Sequence, residues 1–225
     1  MHILLAAATT FEIQPTIDLL TSRSHPSPHR ISTLITGIGS LSTTWSLMHR
    51  IGNDRPDLTI QAGIAGCFTD RPLGEVLSIG DETLADLGVW EDQRFRTIFD
   101  LRLTDPDQPP FSKSRLVNPY HRLLQLTSLD SVSAVTVNEI STDPNRIRWL
   151  QANLAPTTES MEGGALHYVG LREQLPFLQL RSVSNAIGIR DKTKWNIPLA
   201  IARLNDRLIS LLQQLDENDN AILTT

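Results

Sequence analysis

One cysteine, Cys67, stands in the 225 residues. No internal disulfide can form, and no cysteine-based zinc cluster can be assembled. Set between Gly66 and Phe68, it reads as a small core residue and not a nucleophile, because free cysteine is usually buried. No stretch approaches the roughly eighteen apolar residues that a membrane-spanning helix requires. The opening run Met1–Ala8 (MHILLAAA) is short and has no basic leader, so it reads as a first strand and not a signal peptide. Basic charge is also scarce. Lys and Arg number 20 against 25 Asp and Glu, a net charge of −5 with no basic stripe, which argues against nucleic acid as the main partner. The six histidines are scattered, and His25 and His29 have no partner ligands at helical or turn spacing. No metal and no organic cofactor is expected.

What is present is ordinary for a globular chain: 40% hydrophobic and 20% charged residues, enough for one sizeable domain and short for two. The expectation is a soluble, cytoplasmic α/β domain over residues 1–215 with a polar tail at 216–225. Strands are expected at 2–8, 31–36, 57–62, 132–140 and 177–183, with further strand material at 73–77 and 83–88. Helices are expected after Thr9-Thr10 to about Leu20, with Glu12 at the entry and Pro15 in the first turn, over 41–51, after the Asp143-Pro144 cap, from about Met161, and over 198–215. Strands alternating with helices imply a mixed central β-sheet flanked by helices. Residues 90–118 are charged and irregular, and read equally as a surface loop or a lid.

The most informative stretch runs from Glu159 to Asp191. Met161-Glu162 stands at the start of an expected helix, and the apolar run from Phe177 ends in Arg181-Ser182-Val183-Ser184-Asn185, then Gly188. In α/β folds, polar residues at the carboxyl ends of strands face the ligand crevice. The plainer alternatives are a first-turn helix charge for Glu162 and a turn residue for Asn185. From the residues alone both readings stand.

Ser160-Met161-Glu162-Gly163-Gly164-Ala165, Pro176-Phe177, Arg181–Asn185 and Gly188-Ile189-Arg190-Asp191, with Trp195 and Ile197–Ala200, resemble the purine nucleoside phosphorylase/nucleosidase superfamily. Within it they resemble the futalosine hydrolase family more than the methylthioadenosine/S-adenosylhomocysteine nucleosidases, which usually carry Asp at the position of Asn185. The resemblance implies a nucleoside phosphorylase-like three-layer sandwich, a homo-oligomer, and hydrolysis of a nucleoside N-glycosidic bond that releases hypoxanthine for menaquinone synthesis. It implies Glu12 as the base that activates water, Glu162 with Met161 as the ribose site, and Asn185 as the residue that binds the leaving purine. It also places Ile64, Ala65 and Gly66 beneath the nucleoside and brings Thr136 and Val137 to the base. Thr36-Gly37-Ile38-Gly39 corresponds to a structural turn. A phosphorylase would need several arginines near the first loop, yet none precedes Arg23, and Glu12 would repel phosphate. Water is the expected nucleophile. For an acidic group beyond C5′, Arg94, Arg96, Arg190 and Lys192 all remain open. The competing functions are an adenine-releasing nucleosidase and a catalytically silent nucleoside-binding module.

Overall fold

The computed structural model describes residues 1–22, 27–91, 94–189, 191–217 and 223, with Lys192 described by its backbone alone. The apolar opening run is β1 (His2–Ala7), buried along its whole length, which explains why it reads as a continuous apolar run without alternation. It is followed by α1 (Thr10–Ser22), β2 (Arg30–Ile35), α2 (Ser40–Asn53) and β3 (Leu58–Cys67). β1 lies between β2 and β3, parallel to both. Then come β4 (Val76–Leu84), β5 (Gly88–Glu91), β6 (Arg94–Thr97), β7 (Leu116–Val117), α3 (His121–Leu126) and β8 (Ser131–Thr136). α4 (Pro144–Asn153), β9 (Thr158–Ser160), α5 (Gly163–Arg172), β10 (Phe177–Ala186) and α6 (Ile197–Glu217) complete the chain.

Eight strands form one mixed sheet in the order β10-β4-β8-β9-β3-β1-β2, with β7 on β4. β3 also pairs with β10, so β10, β4, β8, β9 and β3 close into a ring from which β1 and β2 extend. α1 packs on α6, and α2 packs on α5. The main core runs from Ile3, Leu4 and Leu5 through Ile60, Phe177 and Leu178 to Leu204, Leu208 and Leu211 of α6. This is the expected single α/β architecture. Among the described residues no helix is long and apolar enough to cross a membrane.

Several local expectations are corrected. Pro15 sits inside α1 and not in its first turn, because the helix already begins at Thr10. The strand expected to stop at Ala62 continues through Gly63, Ile64, Ala65 and Gly66 to Cys67, since its neighbour β10 pairs with it along that length. Residues 73–77 and 83–87 are the two ends of a single strand, β4, and the turns beside it, and Gly88 opens β5. β9 was not expected, as three residues are too short to show a period, and neither was α3. Asp143 is the helix cap expected, its side chain accepting from the amides of Asn145 and Arg146. His29 is half-buried, with Nε2 3.0 Å from the Leu215 carbonyl. His25 lies outside the described residues, as does most of the expected tail. Asp216 and Glu217 belong to α6.

Candidate active site

The carboxyl ends of β1, β3 and β10 meet the segment just before α5 at one cavity of about 360 Å³, room for a nucleoside-sized molecule. Glu12, Ile64, Ala65, Gly66, Met161, Glu162 and Asn185 all line it. Seven expected site residues, scattered over 174 positions of sequence numbering from Glu12 to Asn185, therefore face one space.

Glu12 is buried in the first turn of α1, where a carboxylate is favoured. Its Oε2 accepts from the Thr9 amide at 3.0 Å and the Thr9 hydroxyl at 3.2 Å. Its Oε1 accepts from the Ile64 amide at 3.1 Å, which ties the side chain to β3. Gly63 makes this possible. A Cβ there would stand 2.9 Å from Glu12 Oε1 and collide with the Arg181 guanidinium. The backbone of Glu12 is held as firmly. Asn205 of α6 donates from Nδ2 to the Glu12 carbonyl at 2.9 Å, and its Oδ1 accepts from the amide and hydroxyl of Thr16 at 3.1 and 2.6 Å. Pro15 has no amide proton for the helix ladder, and the Asn205 carboxamide joins backbone groups on either side of it.

Glu162 is also buried. Its Oε1 accepts from the Gly39 amide at 3.0 Å, and its Oε2 is 3.5 Å from Arg181 Nη1. Gly39 presents that amide from a left-handed backbone with φ of 90°, a conformation that favours glycine. The Gly37–Gly39 turn thus contacts the site. Arg181, only 2% exposed in mid-strand, also donates to Gln61 Oε1 at 3.1 Å. In the sequence Arg181 stands within the motif without an assigned role. Its signal was a charge inside an apolar run, where burial demands a partner.

Asn185, near the end of β10, is half-buried. Its Oδ1 accepts from the Ser184 hydroxyl at 2.8 Å and its Nδ2 donates to the Ala186 carbonyl at 3.0 Å. One lone pair and one N–H remain for a ligand.

Thr136 and Val137 are not brought to the cavity. The Thr136 hydroxyl is occupied below it, donating to Glu82 at 3.0 Å and accepting from the Gly164 amide at 2.7 Å. Val137 is buried with Ala85, Val135 and Leu150. The chain reaches the cavity a few residues later, through Ile140 and Ser141. Glu159 of β9 lines it as well. Burial pushes the Glu159 carboxyl up from the usual range, against the pull of Ser141 and Arg146. No described residue of 90–118 lines the cavity. The aromatics of that segment pack elsewhere, Trp90 and Phe95 on Trp149 and Phe111 on Tyr168. Arg94 and Arg96 belong to the β5–β6 hairpin, where Arg96 pairs with Glu91. Arg190 and the Lys192 side chain lie outside the described residues. Among the described residues no cluster of three or more His, Cys, Asp or Glu could hold a metal ion.

No family model matches the chain. It is 28% identical to the futalosine hydrolase of Streptomyces coelicolor, an alignment covering 96% of this chain and 97% of that one. It is 26% identical to the futalosine hydrolase of Thermus thermophilus over 80% of each. Among solved structures, a futalosine hydrolase mutant of Helicobacter pylori superposes with a TM-score of 0.80 at 15% identity, over 95% of this chain and 99% of the other. A mutant of the H. pylori methylthioadenosine/S-adenosylhomocysteine nucleosidase, with methylthioadenosine in its active site, superposes with a TM-score of 0.79 at 16% identity, covering 95% of this chain and 98% of that one. At such identities the solved structures establish the fold. This chain is an N-glycosyl hydrolase, similar in sequence along most of its length to futalosine hydrolases and alike in fold to a futalosine hydrolase and to methylthioadenosine/S-adenosylhomocysteine nucleosidases.

Proposed function

We propose that the chain hydrolyses the N-glycosidic bond of futalosine, releasing hypoxanthine in a route to menaquinone, and that Glu12, Glu162 and Asn185 carry the reaction. The observation that supports this is their convergence on one nucleoside-sized cavity. Glu12 takes a proton from water as the water oxygen closes on C1′. The C1′–N9 bond breaks, its electron pair passes to the purine, and N7 takes a proton from solvent. A positioned base typically contributes about 10²–10⁴ in rate. Glu162, fixed by Gly39 and Arg181, keeps lone pairs for two ribose hydroxyls, with Met161 against the sugar. Asn185 accepts from N7–H and donates to O6, the pattern of a 6-oxopurine. Ile64, Ala65 and Gly66 form the floor. The reaction calls on no cofactor.

An adenine-releasing nucleosidase is the second reading, favoured by the superposition on methylthioadenosine/S-adenosylhomocysteine nucleosidases. Asn185 weighs against it, because an amide cannot donate to N7 and accept from a 6-amino group without reversing itself. The test is to incubate the protein with futalosine, its 6-amino counterpart, inosine and methylthioadenosine, with and without phosphate, and to identify base and sugar. Hypoxanthine with a free sugar, independent of phosphate, is expected. A sugar phosphate or preferential adenine release would contradict the proposal.

The reading also includes a homo-oligomer in the cytoplasm. The free, buried Cys67 fits a reducing compartment. Leu41, Trp45 and Met48 leave an exposed apolar stripe on α2, of the kind that marks an interaction face. It adjoins Ile38, which is exposed and lines the cavity. Sedimentation of the protein and of Leu41→Glu tests this, with association expected only for the unaltered chain.

A further inference from the structure

We propose that Glu159 reads the N1–H of a 6-oxopurine, so that two residues on opposite sides of the base select it: Asn185 at N7 and O6, and Glu159 at N1. This rests on the nucleosidase reading above and adds a specificity residue to it.

The placement comes from strand register. On β3, Gly66 is the partner of Glu159 on β9 and of Asn185 on β10. β9 and β10 run on the two sides of β3 at this point, so Glu159 and Asn185 flank Gly66 across two strand spacings, about 10 Å between backbones. Register partners put their side chains on one face of a sheet, and Glu159, Gly66 and Asn185 all line the same cavity. Gly66 contributes no side chain between them, and Ile187 packs over it, its Cδ1 where an added Cβ would collide, so that a flat ring between Glu159 and Asn185 would rest on this apolar surface.

The second observation is an unsatisfied atom. Glu159 is 5% exposed. Its Oε1 accepts from the Ser141 amide at 3.0 Å, and its Oε2 is buried with no protein donor in hydrogen-bond geometry, although the Ser141 side chain and the Arg146 charge both favour the carboxylate. A buried carboxylate oxygen left without a donor is costly, and native structures seldom keep one without a reason. Securing the 140–141 segment needs only Oε1, and Gln would serve there as well. Oε2 is left for a ligand donor. The edge of hypoxanthine opposite Asn185 offers one, N1–H. Adenine has a bare lone pair at N1, which would face the carboxylate oxygen and leave both acceptors unpaired. None of the roles given to Glu12, Glu162 and Asn185 uses this side chain.

The test is Glu159→Gln, which keeps an acceptor for the Ser141 amide and turns the free oxygen into a donor. With kcat/KM measured on futalosine and on its 6-amino counterpart, the oxo-to-amino ratio should fall roughly 10²-fold, the scale of a lost charge-assisted hydrogen bond. If Glu159 only supports the fold, both substrates suffer alike and the unchanged ratio overturns the proposal. If the unaltered protein releases no base from any 6-oxopurine nucleoside, the nucleosidase reading itself has failed. A measurement on the unaltered protein covers a variant that does not fold. Hypoxanthine should inhibit at least about tenfold better than 1-methylhypoxanthine, in which a methyl group replaces the N1–H donor, and this preference should shrink in Glu159→Gln. Equal inhibition would overturn the proposal.

Discussion

The carboxamide of Asn205 donates to the backbone carbonyl of Glu12 at 2.9 Å, across 193 residues of sequence. All its polar capacity is used: Oδ1 takes the amide and hydroxyl of Thr16, and Nδ2 also donates to Ile201. One side chain of the last helix therefore sets the backbone that carries the candidate base. Asn205→Ala should lower kcat about tenfold to a hundredfold with little change in KM, since small displacements of a reacting group carry penalties of that size. In a Glu12→Gln background the same substitution should cost almost nothing. A full, additive loss in that background would make Asn205 merely structural. Thr16→Val, which removes one hydroxyl that aligns the amide, should give a smaller loss of the same kind.

Asn185→Asp tests the other end of the base. The Ser184 hydroxyl already donates to Asn185 Oδ1, so the replacement keeps that bond and loses the donor aimed at O6. Activity on the 6-oxo nucleoside should fall by several orders of magnitude, on the scale of about 10⁴ where a buried polar pair is mismatched. The measurement is kcat/KM for futalosine and its 6-amino counterpart with both proteins. An unmoved ratio would remove Asn185 as a selector.

Glu82 gives a pH dependence of stability. It is fully buried beneath the site, accepting from Gln179 at 2.9 Å and Thr136 at 3.0 Å. Burial raises its pKa from 4.5 to about 7, against the pull of Gln179, Arg181 and Thr136. Its contribution is fully present below 4.5, where folded and unfolded chains both hold the proton. It is lost as pH rises to about 7, because the unfolded chain has already released that proton. The melting temperature of Glu82→Gln relative to the unaltered protein should therefore climb between pH 5 and pH 8. A constant difference would show that Glu82 does not titrate there.

Much of this was legible in the sequence because each signal was local. The run His2–Ala7, the Asp143-Pro144 cap and the run from Phe177 each carry their own period or stop signal, and they became β1, α4 and β10. Glu12, Glu162 and Asn185 stand beside motifs specific enough to be matched. What stayed hidden depends on partners distant in sequence. Glycines at 63 and 66 suggested a strand end, but they are a strand surface cleared for Glu12, Arg181 and Ile187. Thr136 was assigned to the base by the family resemblance, yet its hydroxyl is engaged by Glu82. Asn205 looked like any polar residue of an amphipathic helix, and only the packing of α6 on α1 shows what it holds. Glu159 sits on a strand of three residues, and pairing alone reveals such a strand.

The central claim is that Glu12 activates the water that cleaves the glycosidic bond, and Glu12→Gln tests it most directly. Its Oε1 would still accept from the Ile64 amide, so the fold and cavity should persist. The measurement is the single-turnover rate of hypoxanthine release from futalosine, with the Kd of futalosine determined on the same protein. The account predicts a Kd within a fewfold of the unaltered protein and a rate lower by roughly 10² or more. A turnover rate near that of the unaltered protein would contradict it and place the base on another residue.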